Sequence, residues 1–164
     1  MPENSKGRGR SIVQIGDAVR RQIQAKQQVI LTAHGQSMFP YIQQGDRCTF
    51  IDWNTADLKK GDVVLYQSQT GTLVAHRLLA DKRDELSHLF YIIKGDTNLK
   101  SDPPVYPDQI IGVLAHIKPS RRVIRISHLF CRIWCPFVLH ISFASRLLHK
   151  YLTFRNRISK RIRP

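Results

Sequence analysis

Residues 63–78 read VVLYQSQTGTLVAHRL, and this stretch decides the fold. Two runs rich in β-branched and aromatic residues flank a short polar segment. Ser68–Gly71 has the composition of a hairpin turn, with Gly71 placed to supply a positive φ. Working outward, the same texture repeats. VILTA (29–33), RCTFI (47–51), DVVLY (62–66), TLVAHRLL (72–79), LFYIIKG (89–95) and QIIGVLAHI (109–117) are short apolar runs separated by Gly-Asp pairs and polar turns. The expectation is a mostly β domain of about six strands over residues 28–120. No internal repeat is present.

Both flanks differ from this centre. Residues 1–27 open with a polar, glycine-containing arm over 1–10. From Ser11, a plausible N-cap, Ile12, Ile15, Val19 and Ile23 recur at helical spacing and predict a short helix. Gly16 weakens that run. Residues 121–164 form the third zone. Stepping at 100° per residue from Ile126 puts thirteen apolar side chains, out to Leu152, on one half of a helix. His128, Arg132, Ser142, Arg146, His149 and Lys150 fall on the other half, while Leu139 and Phe143 break the pattern. Pro136 predicts a kink.

Charge follows the same division. The 164-residue chain has a formal net charge of +14. Residues 27–120 hold nine Lys/Arg against ten acids, whereas residues 121–164 hold eleven Lys/Arg and no acid. A one-sign block of this kind meets an anionic surface. The apolar half of the tail favours a membrane surface, with the helix lying among headgroups, over nucleic acid. A helix packed on the β domain is the competing reading. A true span is not expected, because the longest stretch free of Lys, Arg, Asp and Glu is Ile133 to Ser145. The N-terminus lacks the apolar core of a cleaved signal peptide. These features predict a peripheral membrane protein, on the cytoplasmic face. Cys48, Cys131 and Cys135 make no disulfide framework and read as packing residues rather than metal ligands.

The chemistry sits in four boxes: HGQSMFP with Ser37, the pair GDRCTFI and GDVVLY, LVAHRLL with His76, and KGDTNLKSDPPV with Asp96 and Asp102. A serine hydroxyl needs a neighbour to take its proton, and histidine suits that task near neutral pH. A carboxylate on the other ring nitrogen fixes the tautomer. His34, three residues before Ser37, is a weaker rival base. Asp46 and Asp62 follow glycines and read as turn residues.

The order Ser-Met-x-Pro, Gly-Asp, Gly-Asp-Val-Val, His-Arg, Lys-Gly-Asp-x-Asn, Ile-Ile-Gly over about Val29 to Ile117 resembles the type I signal peptidase family. It is most similar to the archaeal and endoplasmic-reticulum branch, which uses histidine where bacterial enzymes use lysine. The resemblance implies a signal-peptidase-like β catalytic domain with no metal or organic cofactor. It implies a serine endopeptidase acting on polypeptides that carry a signal or leader segment. Ser37 would be the nucleophile, His76 the base and Asp102 the catalytic aspartate, with Asp96 a supporting or alternative partner. Met38 and Pro40 would shape the turn bearing Ser37, and Arg77 would pair with an acid such as Asp96. Two departures stand out: no spanning helix precedes the serine box, and Gly35 occupies a position where many members carry a serine that serves the oxyanion hole. Two other readings remain open. One is a peptidase like the self-cleaving repressors, disfavoured by His76 and by the short N-terminal zone. The other is a binding module with a vestigial site.

Overall fold

A computed structural model describes residues 6–55, 57–120 and 142–162, with side chains over 15–54, 57–120 and 145–155. The chain is mostly β. Six strands, β1 (Gln28–Thr32), β2 (Arg47–Ile51), β3 (Val63–Gln67), β4 (Leu73–Arg83), β5 (Leu89–Lys94) and β6 (Ile110–Lys118), form one antiparallel sheet in the order β1-β2-β6-β3-β4-β5. Each strand coincides with one of the six apolar runs. Helices α1 (Lys6–Lys26) and α2 (Ser142–Ile162) flank the strands in sequence.

The strand order follows from burial. The first four residues of β3 and of β6 are buried without alternation, as strands covered on both faces are. Both strands take central places, and β6 enters between β2 and β3. β1, with an exposed residue on either side of buried Val29, takes an edge. The β3–β4 hairpin closes through Ser68 N–H to Thr72 O (2.9 Å) and Gly71 N–H to Ser68 O (2.8 Å), with Gly71 at φ +82°.

Alternation along β3 splits the core in two. Val63 and Leu65 join Val19, Ile23, Val29, Met38, Ile42, Cys48, Phe50 and Ile111 on one face. Val64 and Tyr66 join Leu78, Tyr91, Ile93, Val105 and Ile110 on the other. Helix α1 covers the first face with Val19 and Ile23. Arg20, at the flank of that stripe, donates to the carbonyls of Ile110 (2.8 Å) and Asp108 (2.6 Å) at the start of β6.

Two sequence expectations need correction. The segment 6–10 is helical rather than a loose arm, and Ser11 lies inside α1 instead of capping it. The segment extends a helix already nucleated by the later turns, and propagation is tolerant of Gly7 and Gly9. Ile15, placed on the buried stripe by spacing, is 52% exposed; among the described residues of α1, Val19 and Ile23 carry the apolar packing on the sheet. Of the tail helix expected over 126–152, residues 126–141 lie outside the described residues, as do Cys131, Cys135 and Pro136. α2 begins at Ser142 and continues to Ile162.

Candidate active site

Three of the four singled-out side chains meet in one line. His76 Nε2 lies 2.9 Å from Ser37 Oγ, and His76 Nδ1 lies 2.6 Å from Asp102 Oδ2. A carboxylate can only accept, so Nδ1 carries the hydrogen and donates it to Asp102. In the neutral ring Nε2 is then the acceptor for the Ser37 hydroxyl. His76 is buried, and Asp102 is mostly covered.

Each member is held by a different part of the fold. His76 stands on β4 directly opposite Val64 of β3. Asp102 lies beyond β5 and is tied to it by its own N–H, which donates to Ile93 O at 2.8 Å. Ser37 sits in the turns after β1. Met38 and Ile42, both buried, anchor that loop in the core beneath α1. The Phe39–Pro40 peptide is cis. The carbonyl of Ser37 accepts from the Thr97 N–H (2.9 Å) and the Thr97 hydroxyl (3.1 Å), which fixes the peptide plane after the serine. Gly95 makes this approach possible: a Cβ there would lie 3.0 Å from the Ser37 carbonyl oxygen and 2.9 Å from the Asn98 side chain.

Asp96, the fourth residue, sits at the other side of the same turn. Its two oxygens accept from Arg77 Nε and Nη2, both at 2.8 Å, with both side chains essentially inaccessible. Arg77 also donates to Gly61 O at 2.7 Å, and its guanidinium lies 4.7 Å from the ring centre of Tyr41. A bidentate, dry pair of this kind locks the Gly95–Asn98 turn that grips Ser37.

The remaining candidates sit elsewhere. His34 is exposed. Asp46 accepts from the N–H groups of Gln43 (2.8 Å) and Ser120 (3.0 Å), and Asp62 accepts from that of Lys59 (2.8 Å), as turn residues do. Gly35 has φ +84°, with nothing within 4 Å of the position a Cβ would take. Among the described residues no cluster of His, Cys, Asp and Glu could hold a metal ion.

Sequence reading missed two contributors. Thr97 is one. Tyr66 is the other: it is buried beside Asp102, so burial first and then the neighbouring carboxylate push its phenol above the usual tyrosine range. The signal was available in the alternation. Val64 faces His76, so Tyr66, two residues on, shares that face.

A cavity of about 580 Å³ opens among Trp53, Leu58, Leu78, Leu89 and Tyr91, with Asp81 at its lining; Ser37, His76 and Asp102 do not line it.

No family model matches the chain. Over 72 residues it is 35% identical to the signal peptidase complex catalytic subunit SEC11 of Zygosaccharomyces rouxii; the match spans 43% of this chain and 42% of that protein. This similarity supports a relationship to the signal peptidase family, over less than half of the relative's length.

Proposed function

We propose that the chain is a serine endopeptidase that removes signal or leader segments from polypeptides, using Ser37, His76 and Asp102. The observation that carries this reading is the unbroken line from Asp102 Oδ2 through the His76 ring to Ser37 Oγ. Such a line does the work acyl transfer needs. Ser37 Oγ attacks the scissile carbonyl carbon while its proton passes to His76 Nε2. Asp102 holds the ring and stabilises the imidazolium that forms. The tetrahedral adduct collapses, the amine leaves with the proton from Nε2, and the acyl group remains on Ser37. Water, activated by the same nitrogen, then releases it. Asp96 supports the site through Arg77 and the turn that holds the Ser37 carbonyl. Backbone N–H groups around Ser37 take the oxyanion, since Gly35 offers no hydroxyl.

The SEC11 similarity supports the substrate class, a polypeptide with a signal segment. The position of His76 between Ser37 and Asp102 supports a reading within the Ser-His branch. The test is cleavage of a panel of peptides with small residues before the scissile bond. Wild type should cut; Ser37→Ala and His76→Ala should fold and not cut. A folded wild type that cuts no peptide, leader-bearing proteins included, would overturn the reading in favour of a vestigial binding module.

A further inference from the structure

Helix α2 buries side chains in one direction and exposes apolar ones in another. Ser145 and Leu152 point inward, 1% and 7% exposed, and Lys94 Nζ donates to Ser145 Oγ at 3.0 Å. Leu147, Tyr151 and Phe154 are 59%, 50% and 65% exposed. At 3.6 residues per turn these three fall within about 60° of one another, and roughly 100–160° from Leu152. A helix that only packs on its own domain needs one apolar face, and packing among the described residues leaves Leu147, Tyr151 and Phe154 at least half exposed. Lys150 borders this outward stripe on one side and Arg155 on the other. The helix holds six Lys or Arg and no acid.

The same helix touches the loop of the proposed nucleophile. The Tyr151 ring stacks on Phe39, centroids 6.0 Å apart, and the Arg155 guanidinium lies 5.0 Å from the Phe39 ring centre. Phe39 is two residues beyond Ser37.

We propose that the stripe Leu147–Tyr151–Phe154 docks on an anionic lipid bilayer and thereby seats the Ser37 loop beside the headgroup layer. Charge selects the occupant. A second copy of the chain would set six cations against six. Nucleic acid would meet the cations but leave the leucine and phenylalanine exposed. An anionic bilayer takes both features at once. The docking stands on α2 alone; the seating of Ser37 rests on the endopeptidase reading.

The test floats the full chain with vesicles of phosphatidylcholine, alone or mixed with phosphatidylserine. Wild type should bind the mixed vesicles. The double variant Leu147→Gln/Phe154→Gln, with its helical circular dichroism intact, should bind at least about tenfold more weakly. Lys150→Gln/Arg146→Gln should weaken binding and reduce its salt dependence. Unchanged binding by the apolar double variant overturns the proposal. So does self-association that this variant abolishes without any flotation, or salt-sensitive DNA retention without vesicle binding. A second assay compares a bilayer-anchored leader peptide with a soluble one. The apolar variant should lose the first activity and keep the second; equal loss or equal retention overturns the seating of Ser37. If wild type cuts neither peptide, the endopeptidase reading fails, and flotation still decides the docking surface.

Discussion

His76 and Arg77 are neighbours in sequence and part company in space, because successive residues of a strand point to opposite faces. One reaches Ser37 and Asp102; the other reaches Asp96 and Gly61. Their substitutions should therefore fail in different ways. Asp102→Asn keeps the shape but favours the wrong imidazole tautomer, so kcat should fall by about 10³–10⁴-fold, with thermal unfolding nearly unchanged. Arg77→Ala leaves the Asp96 carboxylate buried without its bidentate partner, and urea denaturation should register a loss of about 3–5 kcal/mol. Equal effects of the two on stability would argue that Asp102 is only a structural anion. Tyr66→Phe separates the roles further. Removing the phenol hydroxyl beside Asp102 should lower kcat about tenfold and leave KM unmoved. A change confined to KM would place Tyr66 with substrate contacts. The His-Arg pair was legible in sequence, and so was an acid for each. Which acid served which was not, since Asp96 and Asp102 lie six residues apart in one turn and the choice depends on how that turn folds back on β5.

At the scale of elements, all six strands were readable, because each is short, apolar and bounded by polar turns. Their order was not. β6 separates β2 from β3, and nothing local encodes it; the clue is that the starts of β3 and β6 are buried on both faces. The sequence periodicity identified one apolar face on the tail. It could not say that α2 uses Leu152 inward and Leu147 outward, because both are leucines and only packing distinguishes them. β2 offers a test of burial. Its Cys48 thiol is pushed up to about 11, by burial first and the nearby Asp46 charge second. Ionisation is disfavoured in the fold, so this group contributes stability below pH 9 that is lost as pH rises toward 11. At pH 8 the thiolate fraction falls about a hundredfold against an ordinary cysteine. Iodoacetamide labelling mapped by mass spectrometry should therefore find Cys48 unmodified in the folded chain and modified in urea. Rapid native labelling at Cys48 would mean that the β1–β2 edge opens.

On the scale of the whole molecule, the sequence suggests an N-terminal appendage on a β domain, whereas packing places Val19 and Ile23 of α1 in the core. Val19 and Ile23 share one cluster with Met38 and Ile42, the residues that anchor the Ser37 loop, and with Phe50 and Ile111 of the sheet. Helix and serine loop are thus two lids on the same sheet face. Ile23, 1% exposed, meets close packing on every side, including Gly112 of β6, where a Cβ would lie 3.0 Å from Ile23 Cδ1. Ile23→Ala should cost about 2–5 kcal/mol, because the sheet cannot collapse into the vacated space. Met38→Ala should cost a similar amount and, unlike Ile23→Ala, should also reduce cleavage below the urea midpoint, since it loosens the loop itself. Together the two should depart from additivity, as neighbours in one core do. Urea melts of both single variants and the double variant decide the matter. Strict additivity would mean that α1 and the serine loop sit on independent patches. A coupling of about 0.5 kcal/mol or more would tie the N-terminal helix energetically to the residue that, in the proposed peptidase, attacks the substrate.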